Sequence, residues 1–230
     1  MESQRNRVDY WQKRWDAGIV TFHKQEVNPL LEKHFDKLLL GGKNERIFVP
    51  LCGKTLDMKW LADKGVEVVG LDGVPLSLEQ FFSDQNLEYT SKKIPQLGDN
   101  CQLFESAQDR IRLYCGDMMN FSPSVAGTFD AIWDRASLVA LNRNDVPKYV
   151  EIIKSLLKPG GRCLLEVVDF DVNNKEDAAH SIPRPPPPHP MYEPELQQLY
   201  EPECTLKYLD KYERIPSGYQ RLFLITKQLG

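Results

Sequence analysis

The sequence predicts an α/β fold carried by a mostly parallel sheet. The first observation is a short run of β-formers, Ile47-Phe48-Val49-Pro50-Leu51, that reads as a buried strand. The second is the helical pattern after it, opening at Thr55 with Leu56, Met58, Trp60 and Leu61 and closed by Gly65. The third is a repeat of the alternation: Val66 to Asp72 reads as a strand and Leu76 to Phe82 as a helix. Strand, helix, strand, helix at this spacing is a unit whose strands lie parallel.

The remaining elements extend that frame. Upstream, residues 28–40 place Leu30, Leu31, Phe35, Leu38 and Leu39 at helical spacing, with Asn28 as N-cap, Pro29 in the first turn and Gly41-Gly42 as the stop. Downstream, residues 101–106 and 110–115 could form two short strands, and Phe129 to Asp134 forms another. Val146 to Leu157 is a strong helix with Pro147 near its start. Lys158-Pro159-Gly160-Gly161 reads as a turn, followed by a strand from Arg162 to Asp169. Residues 173–190 are polar and then proline-rich, which marks a loop, because structure resumes after them. A short helix at 192–199 and an antiparallel hairpin from 204–213 and 219–227 close the chain. Together these elements predict a doubly wound, mostly parallel seven-stranded sheet with a C-terminal antiparallel hairpin. At 230 residues one domain spanning 1–230 is expected.

Composition removes several classes of function. The net charge of −4 argues against a phosphate-backbone footprint, so nucleic acid is not an expected partner. No apolar run approaches the ~20 residues of a membrane span, and Met1 to Asp16 has no signal-peptide core. A cytoplasmic protein is expected. The five cysteines are widely spaced, with no pair at metal or redox spacing, so free packing thiols and no metal are expected. No exposed heptad is visible, and the expectation is a monomer.

Four segments carry chemistry-bearing residues. In RIFVPLCGKTLDMKW (46–60) the strand runs into a turn containing Gly53, where a ligand can approach the backbone beyond the carboxyl end of the strand. The helix start beyond it suits an anionic group. Asp72 ends the next strand, where a carboxylate accepts both hydroxyls of a ribose, in a dinucleotide or in S-adenosylmethionine alike. In Cys115-Gly116-Asp117-Met118, Asp117 suits an exocyclic amino group and Met118 a ring face. Asp134 and Arg135 place opposite charges at the end of a further strand.

In their order, these segments resemble the thiopurine S-methyltransferase family, within the Rossmann-type methyltransferases. The residues that carry the resemblance are Trp11 to Trp15 with Phe22-His23, VPLCGKTLDMKWLADKG (49–65), VVGLD (68–72), EQFFSDQNL (79–87), IWDRASLVAL (132–141) and a proline cluster near 185–188. The resemblance implies S-adenosylmethionine as cofactor, S-adenosylhomocysteine as product, and a small aromatic or heterocyclic thiol as methyl acceptor. It implies an N-terminal helical lid, residues 1–27, with Trp11, Trp15 and Phe22 over the cofactor; aromatic faces attract a sulfonium cation. It assigns Leu51 and Gly53 to the methionine portion, Asp72 to the ribose, and Asp117 and Met118 to the adenine. Arg135 lies between cofactor and acceptor. Phe22, Arg214, Pro186 and Pro187 are assigned to the acceptor, and Asp134 is the candidate general base.

The chain departs from the family's pattern at Gly73-Val74-Pro75, in a longer loop carrying His180 and His189, and in a shorter segment around Arg214 to Gln220. Three other readings compete. A nicotinamide oxidoreductase would want three glycines in the first turn, where residues 49–58 have one. A methyltransferase could act on another nucleophile, such as selenide or an alkyl thiol. A cofactor-binding protein without catalysis would be favoured by loss of Arg135 or of the tryptophans, and both are present.

Overall fold

The computed structural model describes residues 4–42, 45–98, 101–170, 187–213 and 218–229. Within them, nine strands form one sheet: β1 (Arg46–Pro50), β2 (Glu67–Asp72), β3 (Thr90–Lys93), β4 (Gln102–Ser106), β5 (Ile111–Cys115), β6 (Phe129–Arg135), β7 (Leu157–Asp169), β8 (Cys204–Glu213) and β9 (Tyr219–Lys227). Their order is β3-β4-β5-β2-β1-β6-β7-β9-β8. The central five, from β5 to β7, pair in parallel. β4 and β9 run against their neighbours, so seven of the nine described strands share one direction.

The expected sheet is therefore right in character: it has nine strands where seven were expected, and of the nine only β3 has no counterpart among the runs read as strands. β3 was not foreseen. All four of its residues are exposed, so it shows no apolar alternation and is held by its backbone pairing to β4. The expected turn at Lys158 to Gly161 is instead a bulged stretch inside β7: Phe129 opposes Leu157, and the next pair is Ala131 with Arg162. Gly160 takes φ +73°, and a Cβ on Gly161 would lie 2.8 Å from the Lys158 carbonyl oxygen. Glycine here permits a local fold-back without ending the strand.

Helices cover both faces. The α-helices are α1 (Gln4–Asp16), α2 (Pro29–Leu38), α3 (Asp57–Asp63), α4 (Pro75–Asp84), α5 (Pro123–Ala126), α6 (Val146–Leu156) and α7 (Glu193–Tyr200). Alternation along the strands splits the core in two. Ile47 and Val49 of β1 pack with Leu30 and Leu31 of α2, Met58 and Leu61 of α3, and Phe81 and Phe82 of α4. Phe48, between them, faces the other way, toward Tyr149, Val150 and Ile153 of α6 and Leu196 and Tyr200 of α7. Asn28 caps α2 as its sequence suggests, accepting from the Leu30 and Leu31 amides at 2.8 and 3.2 Å.

This topology fixes where a ligand can sit. From β1 the chain moves outward to β2 and onward to β5, then returns to the opposite side of β1 to form β6. The order reverses between β1 and β6, and loops leaving their carboxyl ends diverge there into a crevice.

Candidate active site

A cavity of about 1010 Å³ opens at that reversal. One wall comes from the ends of β1 and β2. After Pro50 the backbone turns through two positive-φ residues, Leu51 (φ 41°) and Gly53 (φ 50°). The turn is tied to the neighbouring strand: the Cys52 amide donates to the Leu71 carbonyl at 2.9 Å, and the Gly53 amide to Asp72 Oδ2 at 2.9 Å. Asp72 Oδ1 accepts the Val74 amide at 2.9 Å. Burial pushes the Asp72 carboxyl up, and the amides of Val74 and Gly53 hold it down. Asp72 also lines the cavity, and a carboxylate has more acceptor sites than these two amides fill.

Asp117 leaves β5 as the cap of a short 3-10 turn, accepting the Met119 amide at 2.9 Å; Asp117 and Met118 both line the cavity.

The opposite wall is aromatic. The Phe22 ring lies edge-on to Trp11 and Trp15, with centroids 5.3 and 5.7 Å away. Trp15 is 4% exposed, and its ring sits 3.4 Å from where a Cβ on Gly53 would stand. The α1 helix also packs close to β2: a Cβ on Gly73 would lie 3.1 Å from both γ-carbons of Val8.

Arg135, at the end of β6, joins the walls. Its Nη1 donates to the Phe22 carbonyl at 3.3 Å, and its Nε lies 3.7 Å from Glu166 Oε1. Glu166 is buried on β7, and its Oε2 accepts from Asn28 Nδ2 at 2.7 Å. Burial pushes the Glu166 carboxyl up, and Arg135 and Asn28 oppose that. The Asn28 amide donates to Asp57 Oδ1 at 2.8 Å, and Trp133 Nε1 donates to Asp57 Oδ2 at 2.8 Å. A continuous polar chain thus runs beneath the cavity from Arg135 to Trp133.

Asp134 does not take the place expected of it. Successive residues of β6 face opposite sides, so Trp133 and Arg135 line the cavity while Asp134 points into the core behind it. Its Oδ2 accepts from Tyr149 Oη at 2.7 Å, and burial pushes its carboxyl up to about 6. Fully buried, bonded to a tyrosine and absent from the cavity lining, Asp134 does not stand where a general base for the acceptor is expected.

The comparisons with known proteins bear on the family and the fold. The model of the thiopurine S-methyltransferase family matches residues 6–222. The chain belongs to that family. It is 35% identical to the thiopurine S-methyltransferase of Rattus norvegicus, over 99% of this chain and 95% of that protein. It is also 35% identical to that of Equus caballus, over 95% and 86%. More distant solved structures share the fold. A Burkholderia thailandensis 1,6-didemethyltoxoflavin-N1-methyltransferase with bound S-adenosylhomocysteine has a TM-score of 0.62 at 17% identity, covering 97% of this chain and 87% of that one. The magnesium protoporphyrin IX methyltransferase of Synechocystis PCC 6803, also with bound S-adenosylhomocysteine, has a TM-score of 0.68 at 11% identity, covering 98% and 100%.

The cofactor of this thiopurine S-methyltransferase family member is S-adenosylmethionine, and the donor set fits it. A two-oxygen acceptor at Asp72 suits a ribose diol. The open turn at Gly53 suits an amino-acid portion, and three aromatic rings suit a sulfonium. Trp11, Trp15, Phe22, Leu51, Gly53, Asp72, Asp117, Met118 and Arg135 all border the one cavity, and Pro187 borders it as well. Pro186 and Arg214 lie outside the described residues.

Sequence reasoning missed Glu166, Asp57 and His23. Glu166 sits in the run RCLLEVVD, which reads simply as a buried strand, although a lone acid there is itself a signal. Asp57 reads as a helix-opening acid. His23 belongs to a matching segment but has no spacing partner. Cys52 borders the cavity; burial, with Asp72 nearby, pushes its thiol well up, in keeping with packing. None of the five cysteines forms a disulfide. Among the described residues no helix is long and apolar enough to cross a membrane, and no group of three or more His, Cys, Asp or Glu could hold a metal ion.

Proposed function

We propose that this protein transfers the methyl group of S-adenosylmethionine to the sulfur of a small aromatic or heterocyclic thiol, within the cavity between β1, β2, β6 and α1. The observation that carries the reading is Arg135. One guanidinium faces the cavity while touching the segment that bears Phe22, so a single cation borders both the aromatic wall and the strand ends.

S-adenosylmethionine supplies a methyl carbon activated by its sulfonium. The protein's residues then bind, orient and exclude water. Asp72 accepts the ribose hydroxyls, Leu51 and Gly53 line the methionine portion, and Asp117 and Met118 flank the adenine. Residues 1–27 act as a lid, with Trp11, Trp15 and Phe22 over the sulfonium. Closing that lid desolvates the reacting sulfur, and alignment of sulfur with methyl carbon supplies most of the rate. Arg135 favours the acceptor's thiolate form by charge. Pro187 borders the acceptor, and Pro186 and Arg214 are assigned to it by the family resemblance alone. Residues 1–230 form one working unit, a monomer. A reducing compartment such as the cytoplasm suits its five cysteines, none of which is in a disulfide.

The test is methyl transfer from labelled S-adenosylmethionine to an aromatic thiol, a heterocyclic thiol, an alkyl thiol, selenide and a phenol. Turnover led by the acidic thiols supports the reading. Tight S-adenosylhomocysteine binding without turnover of any thiol overturns the acceptor assignment and leaves the cofactor assignment standing.

A further inference from the structure

Two imidazoles border the cavity without a role in the family reading, His23 and His189; of the two, His23 feels the charge of Arg135, and His189 that of Arg143. His23 borders the cavity together with Arg135 and Lys54. The chain on either side of the ring is pinned. The His23 amide donates to the Val20 carbonyl at 2.9 Å, closing a tight turn, and the preceding carbonyl, of Phe22, accepts from Arg135 at 3.3 Å. The Phe22 ring is fixed between Trp11 and Trp15. The imidazole thus borders the same cavity as the arginine and feels its charge. Among the described residues the ring nitrogens have no hydrogen-bond partner. A half-buried polar ring with no protein partner, facing a ligand cavity, is free to bond to a ligand.

We propose that His23 is the general base that takes the proton from an acceptor thiol arriving as S–H. The inference rests on the acceptor reading above. The bonds balance without a further reagent. A ring nitrogen takes the proton of the S–H group, the sulfur electron pair forms the new bond to the methyl carbon, and the bond from that carbon to the sulfonium breaks. Its electrons return to S-adenosylhomocysteine, and the imidazolium then gives its proton to water.

The charged surroundings suit that role. The cations that act on the ring are Lys54, on the turn after β1, and Arg135, on β6. The carboxylates are Asp84 at the end of α4 and Asp57 at the start of α3. Lys54 is itself ion-paired with Asp84 at 2.8 Å, and Asp57 is bonded to Trp133 and Asn28. Burial, with Lys54 and Arg135, keeps the imidazole below its usual value against the opposing pull of Asp84 and Asp57. It is thus neutral and able to accept a proton near pH 7. Arginine and histidine divide the task by acceptor: Arg135 serves thiols already ionised in solution, and His23 extends turnover to those with pKa near ~8.5 or above.

The experiment compares wild type with His23→Gln and His23→Ala on thiols whose pKa spans about 5 to 10, reading kcat/KM for each, with S-adenosylhomocysteine affinity as a separate readout. The expected result is a graded loss. It reaches about 10²-fold for the least acidic thiols and shrinks steadily as thiol pKa falls, with free imidazole restoring part of the His23→Ala loss. For the least acidic thiols, the wild-type kcat/KM should rise with pH through the lowered histidine value, and the variants should lose that limb. An equal loss across the series would make His23 a packing residue and overturn the proposal. No loss with any thiol would overturn it too. If wild type itself turns over no thiol, the acceptor reading fails first, and the inference with it.

Discussion

Asp72→Ala tests the cofactor wall most directly. The carboxylate receives one backbone amide on each oxygen, at 2.9 Å from Gly53 and 2.9 Å from Val74. Its remaining acceptor sites are assigned to two ribose hydroxyls. A hydrogen bond to a charged acceptor contributes about 1.5–3 kcal/mol, so two lost together cost about 3–6 kcal/mol. At about 1.4 kcal/mol per tenfold change, S-adenosylhomocysteine should bind roughly 10²–10⁴-fold more weakly. The substitution also strips the Gly53 and Val74 amides of their acceptor and slackens the turn that holds Leu51. Calorimetric titration with S-adenosylhomocysteine measures the loss, and a thermal melt on the same sample reports whether the fold survives. Arg214→Ala, on the acceptor side by family resemblance, should weaken the same titration far less. A Kd for Asp72→Ala within about fivefold of wild type, with a cooperative melt, would refute the ribose assignment. Equal effects of the two substitutions would refute the division of the cavity.

Two further outcomes follow from the geometry. Burial raises the Asp134 carboxyl to about 6 from an ordinary value of 3.8, so between those values the folded chain holds a proton that the unfolded chain has released. This group's contribution to stability is full below about pH 4 and falls by about 2–3 kcal/mol as the pH climbs through 6. Asp134→Asn should therefore gain on wild type in denaturant melts as pH rises from 4 to 7. A pH-independent difference would contradict the buried placement, and a hundredfold loss of turnover would reinstate Asp134 as the base. In the second, Gly73→Ala drives a methyl group against Val8, which should displace α1 and weaken S-adenosylhomocysteine binding several-fold. Val8→Ala in the same chain should recover most of that loss, and failure to recover would mean that α1 does not cover the cofactor.

Much of this was legible from the chain because it is local. Ile47 to Leu51 followed by a glycine turn, and Val66 to Asp72 ending in an acid, signal a strand-end site within a few residues of sequence. What failed was non-local or ambiguous by symmetry. Asp134 and Arg135 are adjacent charges, and nothing in the pair says which faces the cavity; the strand's alternation decides it. Glu166 reaches Asn28 across 138 positions of sequence, a separation that no pattern window spans. β3 carries no buried side chain to announce it, and Lys158 to Gly161 has the composition of a turn while lying inside a strand.

The two ends of the sheet have a consequence for the molecule in a crowded solution. A terminal strand offers a row of unsatisfied amides and carbonyls to any other chain in extended form. At one end β3 is only four residues long and carries Lys92 and Lys93. At the other, β8 is longer, but its ladder slips between Tyr208 and Asp210, and Lys207, Asp210, Lys211 and Glu213 stud its length. A strand laid against either end would meet a repelling charge or a broken register within a few residues. The sheet can therefore be nine strands wide and still resist growing by capture of its neighbours into fibrils.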